Sequence, residues 1–355
     1  MEKIKIIRAT ALKEKPKDES ALVFGKSFTD YMFTMEFSSA KGWHSPTIKP
    51  YAPLSIDPAN LTLHYGQSLF EGMKAYRDAE GGVRLFRPAD NFARMSIGAQ
   101  RLAMVPLDEE MALAGLKALL EIEKDWIPRS PGTSLYIRPT MMAMDAFLGV
   151  HASDSYLFFI ILSPVAAYYK EGLKPVKIYV EDEYVRAARG GIGYTKAAAN
   201  YVASMLAGSQ AEKRGYSQVL WLDAVERKYI EEVGAMNIFF VIGGKLVTPP
   251  LRGSILAGIT RNSVIQLAKA KGLEVEERPI SIDEVFEAAQ SGAMSEAFGS
   301  GTAAVISPVG HFSWKGEEVA VNGGKMGKIA QDLYDSLTAI QYGRAADPFG
   351  WSIKL

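Results

Sequence analysis

Apolar positions along this chain change spacing several times, and the changes mark its elements. Short runs rich in β-branched and aromatic residues predict strands at 61–65, 72–77, 83–86, 134–142 and 156–162, with a Glu80-Gly81-Gly82 turn between the second and third. Helical spacing takes over after Pro88, which suits the first turn of a helix running towards Met104, and again over 109–124. Prolines at 16, 46, 50, 53 and 58 predict a largely irregular first sixty residues with a few strands. Pro164 to Pro175, with Lys170-Glu171-Gly172 at its middle, predicts a linker. Beyond it come strands at 176–180, 218–222, 238–242, 245–247 and near 303–309, with helices at 200–214, 260–271, 282–290 and 325–341. The pattern predicts a strand-rich α+β protein of two domains, 1–163 and 176–355, joined by the 164–175 linker.

Composition narrows the chemistry. The 355 residues are 48% hydrophobic and 23% charged, the mix of an ordinary globular protein long enough for two cores. Forty basic and forty acidic residues cancel, so no global field favours nucleic acid or an anionic membrane. With no cysteine, disulfides, thiolate metal sites and cysteine nucleophiles are excluded. His44, His64, His151 and His311 have no metal-ligand spacing, and no metal is expected. The N-terminus lacks the apolar core of a signal peptide and mixes acids with bases, unlike a transit peptide. The longest apolar run, from Tyr156 to Tyr169, is broken by Ser163-Pro164 and too short to span a bilayer. A cytoplasmic location is expected.

The candidate chemistry centres on 190–201, a glycine-rich turn leading to Lys196 among small, uncharged residues. No carboxylate lies nearby in sequence, so burial would favour the neutral amine that Schiff-base chemistry requires. A phosphate-binding P-loop is excluded, because Thr195 precedes Lys196 and Ala197 follows it; the dinucleotide fingerprint fails because Lys196 stands where its third glycine belongs. Glu231 and Glu232 are candidates for a functional buried carboxylate, facing opposite sides of a strand, and alternation alone does not choose between them. Gly258-Ile259-Thr260-Arg261 opens a helix whose terminus suits a dianion, and 299–304 offers a second glycine-rich approach.

Together with the block 63–72, the segment Tyr136-Ile137-Arg138-Pro139 and the run 229–241, these residues resemble the fold-type IV pyridoxal-phosphate enzymes, and within them the branched-chain amino acid aminotransferases. The resemblance runs from about Leu63 to the C-terminus. It implies a smaller N-terminal and a larger C-terminal domain with pyridoxal 5'-phosphate at their interface. Lys196 matches the Schiff-base lysine, whose freed amine then moves the substrate's α-proton. Tyr201 matches the tyrosine on the cofactor's phenolic oxygen, and Glu232 the carboxylate that keeps the pyridine nitrogen protonated. Arg94, Ile259, Thr260 and Thr302 match the phosphate site. Phe70 and Tyr136 would wall the substrate pocket, and Arg138 would pair with glutamate's distal carboxylate. The amides of Thr302 and Ala303, with the Tyr136 hydroxyl, would hold the α-carboxylate, while Tyr65 would reach the partner subunit's pocket in a homodimer or higher homo-oligomer. Ala304 and Ser307 replace the Cys-x-x-Cys pair of mammalian relatives, so thiol regulation of that kind cannot operate.

The implied activity is transfer of the amino group of leucine, isoleucine or valine to 2-oxoglutarate, a step of branched-chain amino acid biosynthesis. A D-amino acid aminotransferase or aminodeoxychorismate lyase would share the fold, but these relatives are generally shorter and lack the Glu-Val-Gly-x-Met-Asn-Ile-Phe run. A non-catalytic cofactor-binding protein need not keep both the lysine and the proton-holding carboxylate.

Overall fold

A computed structural model describes residues 2–166 and 173–355. The chain divides into two compact units: Met1–Lys170 with Thr195–Ala198 and Ile340–Leu355, and Glu171–Tyr194 with Ala199–Ala339.

The first unit is built on one nine-stranded sheet. Its strands β1 (Lys5–Ile6), β2 (Tyr31–Ser38), β3 (Gly42–Pro50), β5 (Met73–Arg77), β6 (Val83–Phe86), β7 (Ser134–Ala143) and β8 (Ser155–Val165) lie in the order β1-β3-β2-β8-β7-β5-β6. The C-terminal strand Ser352–Lys354 pairs beyond β6, and β4 (Ser68–Phe70) pairs with β7. Alternation sends Leu135, Ile137 and Met141 of β7 into a core with Phe33, Met35, Leu69 and Met73. Helices α2 (Pro88–Arg101) and α3 (Glu109–Glu123) supply Phe92, Met95 and Ala99, and Met111, Leu116, Leu119 and Leu120, to that core at helical spacing. Pro88 opens α2 as expected, its missing N–H costing nothing there. The opposite register of β7 and β4 is left for Tyr136, Arg138, Thr140 and Phe70, and the pairing of Lys74 with Tyr136 and of Phe70 with Thr140 brings these strands' side chains onto one face.

Three expectations are corrected here. The 61–65 segment is a one-turn helix, α1 (Leu61–Tyr65), and not a strand. Its Leu-Thr-Leu-His-Tyr alternation imitates a strand, but the ends decide: the Asn60 side chain accepts from the Thr62 amide at 2.9 Å, and Gly66, at φ 67, returns its amide to the Thr62 carbonyl. Ser163-Pro164 does not end the preceding strand; Pro164 pairs with Leu135 and β8 continues to Val165. The rest of the expected linker falls partly on 167–172, outside the described residues. The segment 340–355 belongs to the first unit and not to a 176–355 block, because Ser352, Ile353 and Lys354 pair with Phe86, Leu85 and Arg84.

The second unit carries its own nine-stranded sheet: β9 (Val176–Glu181), β10 (Gln218–Leu222), β11 (Ile230–Val233), β12 (Met236–Ile242), β13 (Lys245–Thr248), β14 (Val275–Glu277), β15 (Met294–Gly301), β16 (Val305–Trp314) and β17 (Glu317–Ala320). The order is β11-β10-β9-β16-β15-β12-β13-β14, with β17 on β16; a further β11–β12 pairing closes the first six into a ring. Four helices follow the expected pattern: α4 (Ala198–Lys213), α5 (Ile259–Ala270), α6 (Ile282–Gln290) and α7 (Lys328–Gln341). The segment Gly299-Ser300-Gly301 is the end of β15, paired to β12 and β16. A side chain at Gly299 would stand 2.9 Å from Met236 Cε, so the glycine serves close packing; the turn is confined to 302–304.

One buried carboxyl in the first unit has a consequence for stability. Glu123, at the end of α3, is 2% exposed and accepts the Tyr31 amide. Burial pushes its pKa up to about 7, against that hydrogen bond, and the Asp30 charge adds to the rise. A carboxyl whose folded pKa exceeds its unfolded value binds a proton on folding, so its contribution is full below about pH 4.5 and is lost as pH rises through 7. The loss is expected to be on the order of 3 kcal/mol. Glu123→Gln should remove most of this slope, raising the urea midpoint at pH 8 while leaving that at pH 5 nearly unchanged. Equal destabilisation at both pH values would show that the group acts by shape alone.

Candidate active site

In the first unit Lys196 sits two residues before the start of α4, strapped to an edge of the sheet. Ala197 bridges to Leu69, and the Phe70 amide donates to the Lys196 carbonyl at 3.1 Å. The Lys196 amine nitrogen lies 5.0 Å from the centroid of the Phe70 ring, and the Arg138 guanidinium carbon 4.6 Å from it. Phe70 is therefore a polarisable wall for charged groups as well as an apolar one. Arg138 Nη2 donates to the Tyr136 hydroxyl at 3.1 Å, leaving that hydroxyl's own proton to donate elsewhere. Arg138 Nε is buried with no hydrogen-bond partner. A buried guanidinium N–H costs free energy until an acceptor arrives, so the site is suited to a carboxylate. Gly72 is required by this packing, since a Cβ there would lie 2.2 Å from the Tyr136 hydroxyl oxygen.

Arg94, on α2, is gripped by Glu71: Nε donates to Oε1 and Nη2 to Oε2, both at 2.7 Å. The Glu71 side chain is fully buried, and its charge interacts with Lys196 as well. The lysine that has no carboxylate near it in sequence thus has one in space. Tyr65 is 44% exposed on α1, its hydroxyl donating to the Leu148 carbonyl.

In the second unit the glycine-rich stretch folds as expected from its composition. Gly190 takes φ 84, and a Cβ on Gly193 would meet the Ser254 carbonyl oxygen at 2.3 Å. Asn200, on α4 one residue before Tyr201, donates to the Ile192 carbonyl at 2.9 Å and closes the turn. Arg186 donates to the carbonyls of Gly193 and Ser254, and its Nε lies 3.2 Å from Glu232 Oε2, near enough for ion pairing but out of hydrogen-bond alignment. Glu232 Oε1 accepts the Leu256 amide at 2.8 Å, while Asn237, its partner across β11–β12, donates to the Leu256 carbonyl at 2.9 Å. One residue pair therefore clamps the loop that delivers α5. That helix begins after Gly258 with no side-chain cap, so its terminus, with Ile259 and Thr260, keeps the character of an anion site. Gly258 is needed there, because a Cβ would meet Asn237 Oδ1 at 2.1 Å. Thr302 and Ala303 occupy the β15–β16 turn, half-buried.

The two glutamates part as alternation requires. Glu231 takes the Ser254 hydroxyl and lines a separate cavity of about 450 Å³ with Arg189, Tyr229 and Arg252; burial there raises its pKa. Arg186, Asn237 and Leu256 carry no role in the sequence reading. Asn237 lies in the run 229–241, and Arg186 gives no signal, because its partners come from three separate segments.

The sequence profile of the family described as Amino-transferase class IV matches residues 68–312. The branched-chain-amino-acid aminotransferase 2 of Bacillus subtilis (strain 168) is 55% identical over 349 residues, 98% of this chain and 96% of the relative. Among solved structures, the PLP form of the branched-chain amino acid aminotransferase from Thermobaculum terrenum has a TM-score of 0.76 at 27% identity, covering 92% of this chain and 98% of that one. The branched-chain amino acid aminotransferase of Escherichia coli has a TM-score of 0.74 at 27% identity, covering 91% and 98%. With a family match over residues 68–312, near-full-length identity above half, and the same fold in both solved enzymes, this chain belongs to the class IV aminotransferases.

Proposed function

We infer that this protein is a branched-chain amino acid aminotransferase, moving the amino group of leucine, isoleucine or valine to 2-oxoglutarate with pyridoxal 5'-phosphate as cofactor. The observation that carries the reading is the first unit's gathering of Lys196 and Arg138 at one phenylalanine ring, an amine and a carboxylate-seeking guanidinium 5.0 and 4.6 Å from its centroid. The near-full-length identity to the Bacillus subtilis enzyme supports it.

Pyridoxal phosphate supplies an electron sink at the substrate's α-carbon. From the first unit, Lys196 would hold the cofactor covalently and, once released, carry the α-proton; Arg94 would face its phosphate. Tyr136 would donate to the substrate α-carboxylate, and Arg138 would receive the distal carboxylate of glutamate, a charge that the aliphatic substrates lack. From the second unit, Tyr201 would bind the phenolic oxygen, and Ile259, Thr260 and Thr302 the phosphate. Glu232 would keep a proton on the pyridine nitrogen, with the Leu256 amide and Arg186 beside its carboxyl oxygens. The Thr302 and Ala303 amides would complete the α-carboxylate site. We take the two units as the functional domains.

Exposed apolar side chains support a homodimer: Val202, Met205 and Leu206 on α4, and separately Leu63, Phe147, Leu148 and Val150, are each more than half exposed. Among the described residues no helix is long and apolar enough to cross a membrane, and we place the enzyme in the cytoplasm.

The test is a half-reaction. The cofactor-loaded protein should change its absorption on adding L-leucine and stay unchanged with D-alanine. The reverse result would move the chain to the D-amino acid branch of the fold, and no change with either would leave a non-catalytic binder.

A further inference from the structure

We propose that Glu71 is a positioning residue of the cofactor site, its buried carboxylate aiming the Arg94 guanidinium and setting a fixed negative charge beside Lys196. The proposal deepens the functional reading above and rests on it.

A carboxylate without solvent contact persists only where charges and donors surround it. Glu71 has no solvent exposure, and four groups serve it: Arg94 Nε and Nη2 at 2.7 Å, Asn91 Nδ2 at 2.9 Å and its neighbour Gly72's amide at 3.2 Å. Burial works to raise its pKa, but the Arg94 charge and hydrogen bonds, and then the Lys196 charge, hold it below the ordinary carboxylate range. It is therefore an ionised group.

Its position follows from the backbone. The Glu71 amide donates to the Pro139 carbonyl at 2.9 Å, and the Phe70 amide to the Lys196 carbonyl at 3.1 Å, so β7 and the lysine segment fix this residue from both sides. The fork-to-fork grip fixes the plane of the Arg94 guanidinium and hence the direction of Nη1. A plain brace between β4 and α2 would need the arginine alone; it would not place the same carboxylate within the field of the lysine.

Glu71→Gln and Glu71→Asp separate the two readings. Apo and loaded proteins are compared by equilibrium dialysis against pyridoxal phosphate, by a pH titration of the bound cofactor's absorption, and by melting of the apo form. Removing the charge should weaken cofactor retention about ten- to a hundredfold and lower the absorption pKa by about one unit. Asp keeps the charge on a shorter arm, so its absorption pKa should stay near wild type while retention weakens. If Gln does not fold, Asp decides: an absorption pKa shifted by a full unit, or retention equal to wild type, overturns the proposal. An unchanged absorption pKa in Gln, even with a lower melting temperature, reduces Glu71 to a brace. Failure of the wild-type protein to load at Lys196 would instead refute the functional reading.

Discussion

Glu232→Gln should cut the half-reaction with leucine by on the order of a hundredfold or more while leaving cofactor binding largely intact, the cost of losing one well-placed electrostatic group. Oε1 accepts the Leu256 amide, a bond that the glutamine oxygen can keep, so the loop leading to α5 stays clamped. What would be lost is the negative charge that, in the proposed function, keeps a proton on the cofactor's pyridine nitrogen and so supports its electron-sink chemistry. An amide N–H turned towards Arg186, whose Nε is 3.2 Å from Oε2, adds a repulsion that the native carboxylate does not have. The control is Glu231→Gln, which touches Ser254 and a different cavity and should change the rate little. If Glu231→Gln is the damaging change, the assignment of the two carboxylates is inverted.

Arg138→Met should separate the two substrates that share one pocket. Bringing glutamate's distal carboxylate into a site without a cation is costly, whereas leucine's side chain has no charge to pair. A charge-assisted hydrogen bond is worth roughly 1.5–3 kcal/mol, so the ratio of efficiencies for leucine and glutamate should move about ten- to a hundredfold towards leucine. The buried, unpartnered Nε argues that the arginine is not fully used by the protein itself. Its stacking on Phe70 and its bond to Tyr136 are the bracing alternative. Under that alternative both substrates suffer equally and the melting temperature falls. Single-turnover rates with each amino acid decide, and an unchanged ratio removes Arg138 from substrate recognition.

How far the sequence could be read depended on whether a residue's partners were local. Elements with a consistent period and clear ends, such as 218–222 and 282–290, match their observed strand and helix bounds. Alternation misled at 61–65, where two capping residues outweigh a strand-like pattern over a single turn. At 299–301 glycine marks close packing inside a sheet. Proline misled at 164, because the preceding strand tolerates it. In the candidate site, Lys196, Glu232 and Arg138 could be picked out because each sits in a recognisable run. Glu71 was within such a run but without a role, since its meaning comes from Arg94 and Lys196, distant in sequence. Arg186 binds Gly193, Ser254 and Glu232, and no local pattern encodes a hub of that kind.

The most direct test of the account is to trap the cofactor on the protein. Borohydride reduction of the pyridoxal-phosphate-loaded enzyme, followed by peptide mapping, should place a phosphopyridoxyl label on Lys196, and prior addition of L-leucine should abolish that label. A label on any other lysine, or one at Lys196 that leucine does not displace, would contradict it.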